Sequence, residues 1–333
     1  MTVTPEELKK KLDEAGYIYD DTLITTLVVS LALGRPLLIE GAAGVGKTEV
    51  AKVMAYALGR ELVRLQCYEG LDESKSIYEW NYQKQLLSIQ VGMGQSQPQS
   101  KTELTKSVFS EEYLLERPLL KSIRSEKPVV LLIDEIDKAD EEFEAFLLEM
   151  LSELQLTIPE IGTVKAKSTP FVVLTSNRTR PLSEALRRRC AYLFINYPDI
   201  EKEIAIIKAK MPNVSDRLAL AVAQAVHDLR ENDNIMKKPS IAETLDWIAA
   251  LEALGAADLT PEAAGLTAGF ILKNEEDIAQ LDTGCGCAGH IHADGTPCEG
   301  HVHADGTPCE GHSHEDGTPC EGHDGHHCHH HHN

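Results

Sequence analysis

The feature that most constrains this chain is a glycine-rich segment, 41–48, which fits the phosphate-loop pattern G-x-x-x-x-G-K-[ST] at every fixed position. A short apolar run precedes it at 36–40, and helical periodicity follows from Lys47 to Leu58. A strand, a glycine-rich turn and a helix in that order direct backbone N–H groups and a helix N-terminus at an anion. The sequence therefore predicts a nucleotide-binding α/β unit.

The residue types of this loop indicate how a nucleotide would be held. We expect Lys47 to reach the β- and γ-phosphates and the Thr48 hydroxyl to bind Mg²⁺. ATP and Mg²⁺ are thus the predicted cofactors. The loop residues expected to contact the nucleotide are Gly41, Ala42, Ala43, Gly44, Val45, Gly46, Lys47, Thr48 and Glu49.

A second motif lies at the end of the apolar run 129–133, where Asp134 and Glu135 follow directly. A continuous apolar run of this kind is typical of a strand covered on both faces. Ligands bind beyond the carboxyl ends of such strands. We therefore expect Asp134 to bind the nucleotide through Mg²⁺ and Glu135 to activate water as a general base. The simpler alternative is a strand that ends in two solvated carboxylates.

A third buried run, 171–176, ends at Asn177. The amide of Asn177 would orient the water between Glu135 and the γ-phosphate. The alternative is an asparagine that only begins a turn.

Three consecutive arginines, 187–189, end a short helix that begins near Ser183. Either they complement the dipole of the helix C-terminus, or one of them is an arginine finger for the γ-phosphate of a neighbouring subunit. The residue types alone do not separate these two functions.

The motifs 133–137 (IDEID), 175–177 (TSN) and 186–190 (LRRRC), placed after the phosphate loop, resemble those of AAA+ ATPases. Three further segments resemble the MoxR family, and most closely its CoxD-like branch. They are 66–71 (QCYEGL), 78–82 (YEWNY) and 116–120 (ERPLL). The resemblance extends over about residues 17–275.

The resemblance implies a P-loop core with a parallel five-stranded sheet of order 5-1-4-3-2 and a small all-α lid. It implies ATP sites between the subunits of a ring, usually a hexamer, with Arg189 as the better match for the finger and Arg188 next. A helix-2 insert is expected at about 78–87 and a pre-sensor hairpin at about 156–167. The expected partners are a client metalloenzyme and a protein with a von Willebrand A-type domain.

One segment departs from the family pattern. Many MoxR proteins carry an arginine after the proline of a lid motif, whereas this chain has Ser240 after Pro239. Lys237 or Lys238 would have to substitute for that arginine, or the sensor is missing.

The composition limits the classes of partner. The formal net charge of −21 disfavours a nucleic-acid motor, because phosphate backbones require clustered lysine and arginine. The longest apolar stretch, 22–33, is too short to cross a bilayer, and the first residues do not resemble a secretory signal. Before residue 284 the only cysteines are Cys67 and Cys190. This pattern favours a cytoplasmic protein, with a core over 1–198, a helical lid over 199–283 and a separate tail over 284–333.

The tail, 284–333, differs completely in composition. It contains every histidine except His227 and has neither lysine nor arginine. An eleven-residue repeat starts at His290, again at His301 and His312, and once more at His323. The candidate ligands are Cys285, Cys287, His290, His292, Cys298, His301, His303, Cys309, His312, His314, Cys320, His323, His326, His327 and Cys328.

Imidazole and thiolate ligands suit Zn²⁺, Ni²⁺, Co²⁺ and copper ions, while the Asp-Gly and Thr-Pro pairs between them favour turns. The tail is therefore predicted to be disordered without metal and to bind several ions. The alternatives are a solvated low-complexity tail or a purification tag, although a tag does not account for the cysteine-bearing repeats. Two hypotheses of function follow: an ATPase that remodels a metalloenzyme client, or a metal-buffering or metal-sensing protein that uses nucleotide as a switch.

Overall fold

The computed structural model describes residues 3–71, 73–93, 110–159 and 161–283. The predicted metal-binding tail lies outside these residues. The chain divides into two compact units. Of the described residues, the first unit contains those up to 224 and 240–245, and the second contains 225–239 and 246–283.

The strands are β1 Leu37–Gly41, β2 Leu62–Gln66, β3 Tyr78–Trp80, β4 Leu114–Glu116, β5 Val130–Asp134, β6 Gln155–Ile158, β7 Gly162–Lys165, β8 Phe171–Ser176 and β9 Ala191–Ile195. The helices are α1 Pro5–Glu14, α2 Asp21–Leu33, α3 Lys47–Leu58, α4 Glu73–Ile77, α5 Tyr82–Met93, α6 Pro118–Arg124, α7 Glu141–Glu153, α8 Glu184–Arg189, α9 Ile200–Lys210, α10 Asp216–Glu231, α11 Ile241–Ala253, α12 Pro261–Ile271 and α13 Glu275–Thr283.

A five-stranded sheet forms the centre of the first unit. Its order is β2-β5-β8-β1-β9, and every pair is parallel. When these five strands alone are counted along the chain, the order is 5-1-4-3-2, as predicted. Strands β1, β5 and β8 are buried along their whole length, which confirms that their apolar runs form central strands.

Alternate residues of the central strands pack on opposite faces of the sheet. Leu37 and Ile39 belong to a core formed with residues of α1, α2 and α3. Leu38 belongs to a second core, formed with residues of α6, α7 and α8. Because helices cover both faces, only the ends of the strands are open to ligands. The carboxyl ends of β1, β5 and β8 therefore bring the loop, Asp134 and Asn177 to one edge.

The resemblance implied two additions to the core, a pre-sensor hairpin and a helix-2 insert. Strands β6 and β7 pair antiparallel, which confirms the hairpin expected at about 156–167. The segment 78–87, where a helix-2 insert is expected, contains strand β3, which pairs antiparallel with β4. Helix α5 follows and continues to Met93.

In the second unit, Trp247 is 1% exposed, and its indole N–H donates to the Thr267 hydroxyl at 2.7 Å. Trp247 is thus a core residue of this unit. The helical sequence pattern over 261–281 predicts one helix, but the structure has two, since α12 ends at Ile271 and α13 begins at Glu275. Leu272 leaves the helix with φ −111° and ψ 140° and is fully buried, so packing of this side chain outweighs helix continuation.

Among the described residues, no helix has both the length and the apolar character needed to cross a bilayer.

Candidate nucleotide-binding and hydrolytic site

The glycine-rich loop follows β1 and leads into α3. Gly44 has φ +75° and Gly46 has φ +91°, a left-handed region that favours glycine. A Cβ on Gly44 would collide with the side chain of Ser240, and one on Gly41 would collide with the backbone of Ile195. The loop is therefore shaped by close backbone approaches as well as by turn geometry, and it leaves its N–H groups at the start of α3.

Lys47 lies at the first position of α3, with its ammonium group inside the loop. Nζ donates to the carbonyl oxygens of Gly41 at 2.9 Å and Ala42 at 2.6 Å, and to Oδ1 of Asn177 at 2.7 Å. Burial lowers the pKa of Lys47, although Asp137, Asp134 and Glu135 oppose this shift. These contacts hold the ammonium at the position from which a lysine in such a loop reaches phosphate.

Asp134 ends β5 and is 3% exposed. Its Oδ1 accepts hydrogen bonds from the hydroxyls of Thr48 at 3.1 Å and Thr175 at 2.5 Å. Its Oδ2 accepts from Arg64, with Nε at 3.1 Å and Nη2 at 2.5 Å. Hydroxyl and carboxylate oxygens are ligands that suit Mg²⁺. The donor set of Thr48 and Asp134 therefore fits this cation.

Glu135 has a left-handed backbone, with φ 56° and ψ 50°, which is uncommon for a residue other than glycine. Its N–H donates to the Thr175 hydroxyl at 2.9 Å. Oε2 accepts from Gln66 Nε2 at 2.9 Å and pairs with Lys138 at 2.7 Å. Oε1 accepts from Asn177 Nδ2 at 3.3 Å. The unusual backbone thus directs this carboxylate at the neighbouring strand ends.

Asn177 contacts both predicted reactive groups, because its Oδ1 accepts from Lys47 and its Nδ2 donates to Glu135. Asp137 fixes its backbone by accepting from the N–H groups of Asn177 at 3.1 Å and Thr179 at 2.9 Å. Burial alone would raise the pKa of Asp137, but the hydrogen bonds from Thr179 and Asn177 outweigh burial and lower it. Asp137 is therefore a buried anchor for the segment that carries Asn177.

The three arginines of α8 have different surroundings. Arg187 pairs with the buried carboxylate of Glu40 at 3.1 Å, which also accepts from the Tyr192 hydroxyl at 3.0 Å. Arg188 forms an exposed pair with Glu184 at 2.7 Å. Arg189 donates to the Ser152 hydroxyl at 2.6 Å and to the carbonyl of Ala185 at 3.2 Å.

Within the described residues, no hydrogen bond or ion pair connects Arg188 or Arg189 to the cluster around Lys47. The structure thus brings together the loop, Asp134, Glu135 and Asn177, and does not bring the two finger candidates to them. Arg187 pairs with Glu40, directly before the loop, so its surroundings differ from those of Arg188 and Arg189.

Sequence reasoning missed four residues that support this site: Glu40, Arg64, Gln66 and Asp137. The signal for Arg64 and Gln66 was their alternation on β2, which places both side chains on one face. Their partners on β5 become visible only from the pairing of Gln66 with Asp134. Glu40 carried a signal of its own, since a charged residue ended an otherwise apolar run.

A cavity of about 520 Å³ lies beside the loop within the first unit, a size typical of ligand pockets. Its walls come from four stretches of chain: 16–23, the loop with the start of α3, 193–210 from the end of β9 through α9, and 241–245. The cavity continues from the loop glycines toward an apolar wall that includes Ile195 and Ile241. Its position suits the part of a nucleotide that extends beyond its phosphates.

Two sequence predictions concern residues outside the Lys47 cluster. The tail ligands lie outside the described residues, and within the described part of the chain no three or more His, Cys, Asp or Glu residues are grouped so that they could hold a metal ion. Lys238, one substitute for the lid arginine, donates from Nζ to the carbonyl of Asn232 at 2.9 Å.

Cys67 is 1% exposed, and burial, together with nearby Asp134, raises the pKa of its thiol to about 12. The thiol therefore remains protonated at neutral pH.

Comparison with known proteins shows what the chain is similar to. Residues 36–190 match the family model "AAA domain (dynein-related subfamily)". Uncharacterized protein YehL of Escherichia coli is 25% identical over 301 residues, covering 79% of this chain and 76% of that protein. Chaperone protein ClpB of Mycoplasmoides gallisepticum is 28% identical over 230 residues, which are 62% of this chain and 29% of that protein.

Among solved structures, the Thermotoga maritima RuvB Holliday junction branch migration motor is similar with a TM-score of 0.41 and 18% identity. The match covers 83% of this chain and 72% of that one. The parallel sheet order, the glycine-rich loop and the family match agree with each other. The chain has a P-loop α/β fold, and its residues 36–190 are similar to an AAA domain of the dynein-related subfamily.

Proposed function

We propose that this protein hydrolyses ATP to ADP and phosphate in a Mg²⁺-dependent reaction and uses the energy to remodel a client protein. The observation that supports hydrolysis, beyond nucleotide binding, is the position of Asn177 between Lys47 and Glu135. The Asn177 amide thereby contacts both the ammonium that would bind phosphate and the carboxylate that would activate water.

Each residue has a distinct role in the proposed reaction. Lys47 leaves the two loop carbonyls and binds the β- and γ-phosphates, whose charge compensates its burial. Glu135 accepts a proton from the attacking water, and Asn177 orients that water toward the γ-phosphate. Thr48 and Asp134 would hold Mg²⁺, which would supply positive charge that stabilises the phosphate oxygens.

We propose that a second copy of the chain completes the site, in a ring of MoxR type such as a hexamer. Arg189, with Arg188 as the alternative, would contact the γ-phosphate bound by the neighbouring subunit. The support is that both side chains have contacts only outside the Lys47 cluster among the described residues. An arginine that is supplied from a neighbour stabilises charge that develops in the transition state.

The client is proposed to be a metalloenzyme under maturation in the cytoplasm, acting with a protein that has a von Willebrand A-type domain. Two observations support this proposal: the resemblance to the CoxD-like branch of MoxR proteins and the similarity to a protein named as a chaperone. The histidine- and cysteine-rich tail would bind Ni²⁺, Zn²⁺, Cu⁺ or Co²⁺ and deliver or collect the metal during remodelling.

The test is the ATPase rate of the full chain, its Glu135→Gln variant and a chain ending at Thr283, each with and without these metals. We expect turnover in the wild type and none above background in the variant. A metal-dependent rate that requires the tail would support metal delivery. Absence of turnover in the wild type would contradict the ATPase proposal.

The alternative is a metal-buffering or metal-sensing protein in which nucleotide acts as a switch. It is favoured by the repeats at His290, His301 and His312. A switch needs nucleotide binding but tolerates very slow turnover. Glu135→Gln would then leave metal-dependent behaviour intact, whereas the remodelling proposal requires that this behaviour is lost.

A further inference from the structure

We propose that Arg64 is a latch on the site: it holds the carboxylate of Asp134 in competition with Mg²⁺ and, through Gln66, positions the carboxylate of Glu135. This inference rests on the proposed ATPase function. Arg64 donates to Asp134 Oδ2 from Nε at 3.1 Å and from Nη2 at 2.5 Å. Nη2 also donates to Gln66 Oε1 at 2.5 Å.

The sheet register creates this arrangement. Gln66 lies opposite Asp134 on the paired strands β2 and β5. Arg64, two residues earlier, is on the same face of β2, so its long side chain runs along the strand to the carboxylate. The two hydroxyls of Thr48 and Thr175 occupy Oδ1. Arg64 therefore binds the carboxylate oxygen that those hydroxyls leave for other partners.

The pair differs from an ordinary surface ion pair. Exposed pairs contribute little because water screens both charges. Here the arginine side chain is 52% exposed but that of Asp134 is only 4% exposed, and the aspartate is the candidate Mg²⁺ ligand. Arginine stays protonated at every physiological pH. Another cation must therefore displace it, since deprotonation cannot.

Gln66 extends the latch to Glu135. A glutamine amide has one accepting and one donating side. Because Arg64 donates to Oε1, the donating Nε2 faces Glu135 and lies 2.9 Å from Oε2. Arg64 therefore occupies the accepting side of the amide and restrains its rotation, while the donating side binds the Glu135 carboxylate. Arg64 thus acts as a positioning residue that couples the two carboxylates.

The first test measures binding without hydrolysis. The full chain is titrated with Mg²⁺ at a fixed concentration of fluorescent N-methylanthraniloyl-ADP, for the wild type, Arg64→Met and Arg64→Lys. The matched control is Lys121→Met, which removes one positive charge from an exposed pair with Glu61 in the same unit. Thermal unfolding of each variant confirms that it is folded.

We expect Arg64→Met to lower the Mg²⁺ midpoint of nucleotide binding about tenfold, the effect of one charge-assisted hydrogen bond. Arg64→Lys should be intermediate because an ammonium cannot form the same fork, and Lys121→Met should match the wild type. A midpoint that stays unchanged or rises in Arg64→Met would overturn the latch. If the wild type binds no nucleotide at any Mg²⁺ concentration, the proposed function itself fails.

The second test addresses the link to Glu135 through turnover at saturating Mg²⁺. Arg64→Met and Gln66→Leu should each slow turnover, and the double variant should be no slower than the slower single variant, because both act on one contact. Tighter Mg²⁺ binding combined with slower turnover is a result that loss of stability does not produce. Losses that add independently in the double variant would contradict the coupling.

Discussion

The cluster at the strand ends and the arginines of α8 differ in their contacts. Among the described residues, the cluster is held together within one chain, whereas Arg188 and Arg189 have no hydrogen bond to it. In the cluster, Lys47, Asp134 and Glu135 each have partners from other strand ends or loops of the same chain. In the part of the chain that the structure describes, Arg188 of α8 pairs with Glu184, one turn away, and Arg189 binds Ser152 and its own helix. This difference supports the proposal of a site whose binding half is organised within one chain and whose remaining cation comes from a second copy.

The largest expected effect concerns the arginine that a second copy would supply. If Arg189 acts on a neighbour's γ-phosphate, Arg189→Ala should reduce turnover about 10³-fold or more while nucleotide affinity changes little. Measurement of kcat and of the nucleotide Kd separates the two effects. Arg188→Ala is the matched control, because it removes a cation from the adjacent position and should cost much less. Equal losses in both variants would contradict the assignment of Arg189.

The next largest effect concerns the strand-end cluster within one chain. Glu135→Gln retains the shape and the hydrogen-bonding capacity of the side chain but removes the base. Turnover should fall about 10²- to 10⁴-fold, while ATP remains bound because Lys47 and the loop are unchanged. Equilibrium binding and single-turnover rates measure both properties. A variant that still hydrolyses ATP at the wild-type rate would remove Glu135 from the reaction.

A smaller effect concerns the shape of the loop. Gly44→Ala should destabilise the unliganded protein, because its Cβ would meet Ser240 and its φ is +75°. Gly59→Ala is the control, since Gly59 has φ +60° and open space around it. Urea unfolding should show Gly44→Ala to be less stable than Gly59→Ala by about 1–3 kcal/mol, the cost of overpacking. Equal stabilities would show that the loop is not fixed by this contact.

The smallest effect is a pH dependence. Burial lowers the pKa of Lys47 from its ordinary value of 10.5, and only the ammonium form attracts phosphate. Nucleotide affinity should therefore fall as the pH rises through this lowered value, at a lower pH than for an ordinary lysine.

Stability of the unliganded protein changes in the opposite direction, because the unfolded state binds the proton more tightly and loss of the buried charge is favourable. Nucleotide Kd values measured from about pH 7 to 10 test the first statement. In the Lys47→Arg variant, whose guanidinium does not titrate in this range, the dependence should disappear.

The sequence predicted the parts of the fold that depend on local pattern. Continuous apolar runs predicted β1, β5 and β8, and the glycine-rich loop located the start of α3 at Lys47. The motifs also indicated which side chains meet, because parallel strands end at one edge of the sheet. The resemblance to a known family supplied the strand order.

Contacts that depend on register between distant segments were not predictable in the same way. The contact of Arg64 with Asp134 requires the pairing of β2 with β5, and the fit of Ser240 against Gly44 joins segments far apart in the chain. The split between α12 and α13 was missed because burial of Leu272 outweighs local helix propensity. In each case tertiary packing decided the outcome.

The most direct test of the central claim mixes two inactive variants. Glu135→Gln subunits lack the base but carry Arg189, and Arg189→Ala subunits have an intact strand-end cluster but lack the finger. In a randomly mixed ring, about one quarter of the head-to-tail interfaces should combine a complete cluster with a donated arginine. We predict that a 1:1 mixture recovers ATPase activity toward this fraction of the wild-type rate. A mixture that remains as inactive as either variant alone would contradict a site completed by a second copy.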